Sequence, residues 1–414
     1  MKISLTAVAL AALTQVCLGQ QFPLESVAIE GGTYSQAFVL KWSGLKIGQA
    51  ADNSVFSEAC AKLQSTGLFR TAAYRYTPTR KNGFALVLQL EAVPDLVNAE
   101  IDIPGLRDED ALWAWLHANY PTQDRRVPEN DAALSFYSRA IEEYLAMEGA
   151  PEKMTTRLGG ALGPGARVTV FFQPQNLPKV GALKFEGTHS LNAGDLGKRV
   201  ANLAMQSDYT PSQFRLLVEQ NIRPVYEERG FLKVAFAIQS EKTADGVVAV
   251  TTTVIEGSTY QLAKVSIEGD GLPIDQLMKS GDFKIGRLAN WKEVQASIAA
   301  AEAPLRRDGY IALTARPERT LHDENGTVDL SVQIRKGRQF VFGSLELSGL
   351  PPALEAQARR VWTLKSGQPL DQEYPNEYLR KISQLPEFSK GNGFATDLKV
   401  APASNVVDVS ITFR

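Results

Sequence analysis

The sequence predicts an α+β chain of five tandem small domains, each ordered strand, helix, helix, strand, strand. Three observations predict it. A short strand ending in glycine recurs along the chain: Val27-Ala28-Ile29-Glu30-Gly31, Ala99 to Gly105, Leu183-Lys184-Phe185-Glu186-Gly187, Val265-Ser266-Ile267-Glu268-Gly269 and Leu345-Glu346-Leu347-Ser348-Gly349. The glycines stand 74, 82, 82 and 80 positions apart. That period is too long for a solenoid unit and suits a domain able to bury its own core. Within each period, apolar spacing passes from helical to alternating. A glycine closes the second helical stretch in four of them, at Gly67, Gly149, Gly230 and Gly309.

The first element is a leader. Lys2 supplies a positive charge, Ile3 to Leu13 an apolar run, and Cys17-Leu18-Gly19 a small-residue cleavage signal, so residues 1–19 read as a secretory signal peptide. A retained anchor is the alternative. The run falls short of the roughly 20 residues a spanning helix needs.

Domains are expected at 22–94, 95–175, 178–258, 259–338 and 339–414. In the first, Phe38–Ser43 and Ser54–Ser65 read as helices, and Ala72–Tyr76 and Phe84–Leu90 as strands. In the second, helices at Asp110–Ala118 and Ala132–Met147 precede a turn rich in Gly159, Gly160, Gly163 and Gly165, then a strand at Val168–Phe172. The third has a strand at Gly181–Glu186, a helix over Ala193–Met205 and a second from Pro211 to Arg229. Thr210 is that helix's N-cap, Pro211 its first residue and Pro224 a kink. Strands at Lys233–Gln239 and Val247–Glu256 flank the turn at Asp245-Gly246. The fourth repeats this with Leu262–Glu268, a helix at Asn290–Arg307, and strands at Ile311–Arg316 and Thr327–Arg335. In the fifth, Val406–Thr412 is the last strand. Short links such as Pro174 to Pro178 imply little core shared between neighbours.

Composition narrows the function. Removing the leader takes one of 44 basic residues and none of the 46 acidic ones, moving the net charge from −2 to −3. No basic block marks a nucleic-acid footprint. Cys60 is the one cysteine left, so an exported chain holds no internal disulfide and relies on its cores. His117, His189 and His322 fall in different repeats with no ligand or catalytic partner at a diagnostic spacing, and no metal, cofactor or nucleophile motif accompanies them. Glu142-Glu143 and Glu227-Glu228 are adjacent on helices, pointing apart, and read as solvated faces. Trp113 and Trp115 read as helix packing.

Three recurring motifs then point to a family. The helix exits read Tyr226-Glu227-Glu228-Arg229-Gly230-Phe231 and Leu305-Arg306-Arg307-Asp308-Gly309-Tyr310, with Ser65-Thr66-Gly67-Leu68-Phe69 as a shorter version. The links read Glu256-Gly257-Ser258-Thr259-Tyr260 and Lys336-Gly337-Arg338-Gln339-Phe340. The inter-helix turns read Leu45-Lys46-Ile47-Gly48, Phe283-Lys284-Ile285-Gly286 and Leu364-Lys365-Ser366-Gly367. Residues 22–414 on this evidence resemble a tandem array of POTRA (polypeptide-transport-associated) domains, as in the periplasmic part of BamA/TamA-type outer-membrane assembly proteins. On residue chemistry alone, the exit glycines are structural and Tyr260 and Phe340 pack at the joints between repeats.

The resemblance implies a three-stranded sheet in each domain with two helices on one face, the last strand central and the middle strand of the chain order at an open edge. Such an edge can accept an extended segment as a further strand. In the third repeat it is Lys233, Val234, Ala235, Phe236, Ala237, Ile238 and Gln239, with no proline, whereas the fourth repeat's edge reaches Pro317 at once. The expected function is a periplasmic, non-enzymatic scaffold, which the resemblance implies is associated with the outer membrane. Its partners would be outer-membrane β-barrel proteins, their unfolded precursors, or an outer-membrane assembly complex, with no nucleic acid and no cofactor. A structural adaptor of envelope assembly or division binding folded partners is the first alternative, and an envelope hydrolase the second. Two departures stand out. The family's large members follow the array with a β-barrel needing on the order of 100 residues, and the chain is expected to carry none. The fifth repeat shows Leu385-Pro386-Glu387-Phe388 in place of the glycine–aromatic exit.

Overall fold

The computed structural model describes residues 22–31, 34–122, 124–160, 168–243, 245–385, 387–388, 394–401 and 403–413. The leader at 1–19, Gly163, Gly165 and Pro386 lie outside them. The chain forms two compact units. One takes Met1–Ala182, Ala204–Phe214 and Gln239–Val250, the other Leu183–Leu203, Arg215–Ile238 and Thr251–Arg414, so the division runs through the third repeat.

The first sheet is built from β1 (Phe22–Glu30), β2 (Ala50–Ala51), β3 (Phe69–Pro78) and β4 (Phe84–Ala92), in the order β2-β1-β4-β3. Its helices α1 (Gln36–Ser43) and α2 (Asn53–Ser65) start where Ser35 and Asp52 accept orphan amides of the first turn. The second sheet joins β5 (Leu96–Ile101), β6 (Arg126–Pro128), β7 (Met154–Gly160) and β8 (Val168–Pro174) as β6-β5-β8-β7, with α3 (Glu109–Asn119) and α4 (Asp131–Met147). Gly159 and Gly160 therefore end a strand rather than sit in a turn. In the third, β9 (Val180–Glu186), α5 (Ala193–Ala204), α6 (Pro211–Asn221), α7 (Arg223–Glu227), β10 (Ala235–Lys242) and β11 (Val248–Ile255) give the order β10-β11-β9. The second helix is broken in two at Ile222, because Pro224 has no N–H for the helical ladder and its ring crowds the preceding turn. Thr210 Oγ1 accepts from the Gln213 amide at the start of α6.

In the other unit, β12 (Gln261–Glu268), α8 (Ile274–Gly281), α9 (Trp291–Arg307), β13 (Thr314–His322) and β14 (Thr327–Arg335) make a sheet β12-β14-β13. The last, β15 (Val341–Ser348), α10 (Pro352–Val361), α11 (Tyr374–Ser383), β16 (Phe394–Ala401) and β17 (Val406–Phe413), makes β15-β17-β16. In every sheet the last strand is central. In the fourth, β14 runs parallel to β12 and antiparallel to β13. Val328, Leu330, Val332 and Ile334 of β14 alternate into the core against Leu277 of α8 and Val294, Ile298 and Leu305 of α9. Each such buried side chain contributes about 2 kcal/mol.

The glycine period has a steric cause. A Cβ at Gly31, Gly187, Gly269 or Gly349 would fall 2.4, 2.4, 2.2 or 2.0 Å from a carbonyl oxygen of the adjacent central strand. Gly105 is different: its nearest neighbours are Ser240 and Lys242 of the third repeat.

The expectation of three strands per sheet needs correcting. The inter-helix turn folds back onto the first strand and adds β2 and β6 to the first two sheets. In the others it makes isolated bridges, Lys179 with Asp208 and Val180 with Met205 in the third, Gln261 with Leu288 in the fourth and Val341 with Pro369 in the fifth. The cause in four of the five repeats is one buried residue whose amide and carbonyl both bind the turn. Leu24 N–H donates to Gln49 O and its carbonyl accepts from Gly48, and Val180, Leu262 and Phe342 do the same with their own turns. Gly48, Gly286 and Gly367 take positive φ there.

The expectation of separate cores also fails for the first two repeats. They share one continuous core, because Trp42 of α1 packs at 5.2 Å from Tyr120 and 4.7 Å from Phe136 of the second repeat. Trp113 is buried in it and Trp115 packs on Tyr120 and Tyr144.

Candidate strand-addition edge and joints

The third repeat's edge strand is β10, Ala235–Lys242, so Lys233 and Val234 lie outside it. The residues after Gly230 first make a tight turn, with Phe231 N–H on Tyr226 O and Val234 N–H on Phe231 O. Val234 is buried, and its carbonyl accepts from Arg223 Nη1 at 2.7 Å. Arg223 also pairs with Glu219 and lies 5.5 Å from the centre of the Phe236 ring. These bonds fix the start of the strand. Along it Phe236, Ile238 and Ser240 are half-buried, while Ala235, Ala237 and Gln239 are exposed. The strand's far end meets Gly105 and Glu152 of the second repeat.

The fourth repeat behaves alike. Tyr310 to Leu313 repeat the turn, so the strand begins at Thr314 rather than Ile311 and runs on to His322. It is longer than expected, passing through Pro317, which pairs in register with Val332. An edge strand tolerates proline where the missing donor faces away from the sheet.

The glycine–aromatic motifs build the joints. Tyr260 N–H donates to Gly230 O at 2.9 Å, and Tyr260 O accepts from Ala289 at 2.8 Å. Phe340 repeats this with Gly309 at 2.8 Å and Leu370 at 3.0 Å. Both aromatics are buried. Gly67 uses another partner: its carbonyl accepts from Asn130 Nδ2 at 2.9 Å, while Asn130 Oδ1 caps α4. Gly149 has a positive φ, but no atom stands within 4 Å of where its Cβ would be.

Charged side chains reinforce the joint between the third and fourth repeats. Glu227 and Glu228 are not merely solvated: Glu227 pairs with Arg319 at 3.0 Å and Glu228 with Lys292 at 3.1 Å. Arg319 also lies 4.9 Å from the Trp291 ring centre. Lys233 pairs with Asp323, whose other oxygen accepts from Tyr260 Oη at 2.6 Å. The pairing holds the Asp323 carboxyl below its ordinary value and raises Lys233.

Two buried carboxylates escaped the sequence reading. Asp102, 1 % exposed, sits at the N-terminus of α6, accepting from the Ser212 amide at 2.7 Å and hydroxyl at 2.5 Å, with Arg157 at 3.4 Å. Glu256, buried where the link begins, accepts from the amides of His189 and Ser190 and the Ser190 hydroxyl. Burial opposes its ionisation, but those donors outweigh it and hold the carboxyl below its ordinary value. Burial, then the charge of Glu256, pushes the Tyr226 phenol up. Burial likewise raises the Cys60 thiol. Among the described residues no group of three or more His, Cys, Asp or Glu could hold a metal ion.

No protein-family model matches the chain, and neither does any curated protein. Solved structures do. POTRA domains 3–5 of BamA from Haemophilus influenzae share 19 % identity, with 58 % of this chain and 97 % of that one covered at a TM-score of 0.43. POTRA domains 1–3 of Omp85 from Anabaena share 18 %, covering 57 % and 96 % at 0.27. CdiB from Escherichia coli shares 17 %, covering 38 % and 27 % at 0.22. The strand order found in all five sheets, with the last strand central and the middle one at the edge, is the order that the POTRA resemblance implies. The chain is an α+β array of five small sheets, each with the strand order that the POTRA resemblance implies.

Proposed function

We propose that the chain is a periplasmic, non-enzymatic scaffold in outer-membrane protein assembly or secretion, which binds extended segments of outer-membrane β-barrel proteins or their unfolded precursors by strand addition. The single observation that carries this reading is β10: an edge strand without proline, with its first residues pinned by Arg223 and exposed Ala235 and Ala237 along it. Backbone pairing suits clients of varied sequence, because every residue but proline offers the same donor and acceptor. The adaptor reading, with folded partners meeting the joint residues, is less well supported, since Tyr260 and Phe340 are 3 % and 7 % exposed.

Photo-crosslinking in the native cell tests it. A probe at Ala237 is expected to capture outer-membrane barrel proteins or precursors, while a probe at Gln220 on the exposed side of α6 does not. Capture at Gln220 alone, or of folded soluble partners only, would sink the strand-addition mechanism.

A further inference from the structure

The far half of the proposed binding edge is already occupied. The turn after β5 brings Gly105 against β10: its N–H donates to Ser240 Oγ at 3.1 Å. A Cβ on Gly105 would stand 3.7 Å from the Ser240 carbonyl oxygen and 4.0 Å from the Lys242 amide nitrogen. Beyond it, Lys242 Nζ is paired with Glu152, from the segment between α4 and β7. The Glu152 carboxylate is only 22 % exposed and Lys242 40 %, so the pair is partly shielded from water. Burial pulls the Lys242 ammonium down from its ordinary value, as expected of a charge held in a joint.

The carbonyl of one strand residue and the amide two positions on face the same side. Ser240 O and Lys242 N both lie within 4.0 Å of where a Gly105 Cβ would stand, so the Gly105 turn lies against the backbone of this stretch. The same period carries Ile238 and Phe236 along that side, and the second repeat's bonds to Ser240 and Lys242 fall beyond them. We propose that the second repeat gates the β10 edge: the Gly105 turn and Glu152 block strand addition at Ser240–Lys242, leaving a short open stretch at Phe236–Ile238 until they are released. This rests on the strand-addition reading above and supplies its regulation. A client, itself an extended polypeptide, needs the space beside Ser240 and Lys242 that the Gly105 turn fills. The next joint shows a related arrangement, in which Arg319 and Asp323, on and just past β13, are paired with Glu227 and Lys233 of the preceding repeat.

The gate is tested on the full chain with Glu152→Lys, Lys242→Glu and the double swap E152K/K242E. Hydrogen exchange reports the gate without a client: either single reversal is expected to speed exchange across 239–242 by about twofold to fivefold, the range of a partly exposed ion pair, and the swap to restore it. Crosslinking from Ala237 to barrel precursors should rise by a similar factor in the single variants and fall back in the swap. Unchanged exchange at 239–242 overturns the gate. Faster exchange with capture no greater than in the parent also overturns it, since release would then add no binding. Faster exchange with no capture in any variant, the parent included, overturns the strand-addition reading and the gate with it.

Discussion

Replacing Gly309 with alanine separates a joint glycine from an ordinary helix terminator. Gly309 sits at φ +86°, where an L-residue costs about 1–2 kcal/mol. Its new Cβ would lie 2.3 Å from the carbonyl oxygen of Phe340, a distance at which one must move. Phe340 is held there by its own N–H on Gly309 O and by the Leu370 amide on its carbonyl. Displacing it costs those two bonds, each worth about 1 kcal/mol net. The loss should total about 3–4 kcal/mol. Gly149→Ala is the control, for it has a similar φ of +77° and open space around it. It should cost only the backbone term, about 1–2 kcal/mol. A chain of several repeats does not unfold as one cooperative unit, so a single melting temperature would blur the comparison. Residue-level hydrogen exchange is the better assay. In Gly309→Ala the amides of Phe340 and Leu370 should lose protection while those of the first repeat keep theirs. Equal losses in the two variants, or retained protection at Phe340 and Leu370, would refute the argument from close approach.

Two further outcomes follow from the buried carboxylates. Glu256→Gln should destabilise the third repeat by about 1–2 kcal/mol at pH 7 through weaker bonds to Ser190 and His189. Because folding depresses this carboxyl, its contribution is complete above the ordinary value of 4.5 and fades as pH falls through the lower folded value. The gap between parent and variant, measured by urea titration at stepped pH, should therefore close in acid; a gap that widens there is evidence against the assignment. Asp102→Ala should cost about 2–3 kcal/mol, since it strips the α6 N-terminus and leaves Arg157 without its carboxylate. Faster exchange at Ser212 is the expected signature, and an unaltered Ser212 amide would count against it.

What was legible in the sequence is what local chemistry dictates. The strand-end glycines, the Thr210 cap, the break at Pro224 and the alternation of β11, β14 and β17 are decided by neighbours in the chain or by burial on one face. Other features depend on partners tens of residues away. Nothing near Trp42 announces Tyr120 and Phe136, so the shared core of the first two repeats stayed hidden. Glu227 and Glu228 look like surface charge until Arg319 and Lys292 arrive. The boundaries of β10 and β13 moved because the tight turn after each exit glycine is set by bonds back to the helix. For Asp102 there was a signal: an acid between Ile101 and Ile103 is a polar group threatened with burial, and such a group must find donors.

The turn that folds back on the first strand gives each sheet a polarity in the sense of polymer growth. On that flank the amide and carbonyl of Leu24, Val180, Leu262 and Phe342 are already spent inside the domain, so an arriving chain would meet a stopper at its first rung. Extension is left to the opposite flank. In those four repeats strand addition is thus confined to one flank of the sheet, beside the middle strand of the chain order. One covered flank per domain halves the edges open to the pairing that exposed strands otherwise invite.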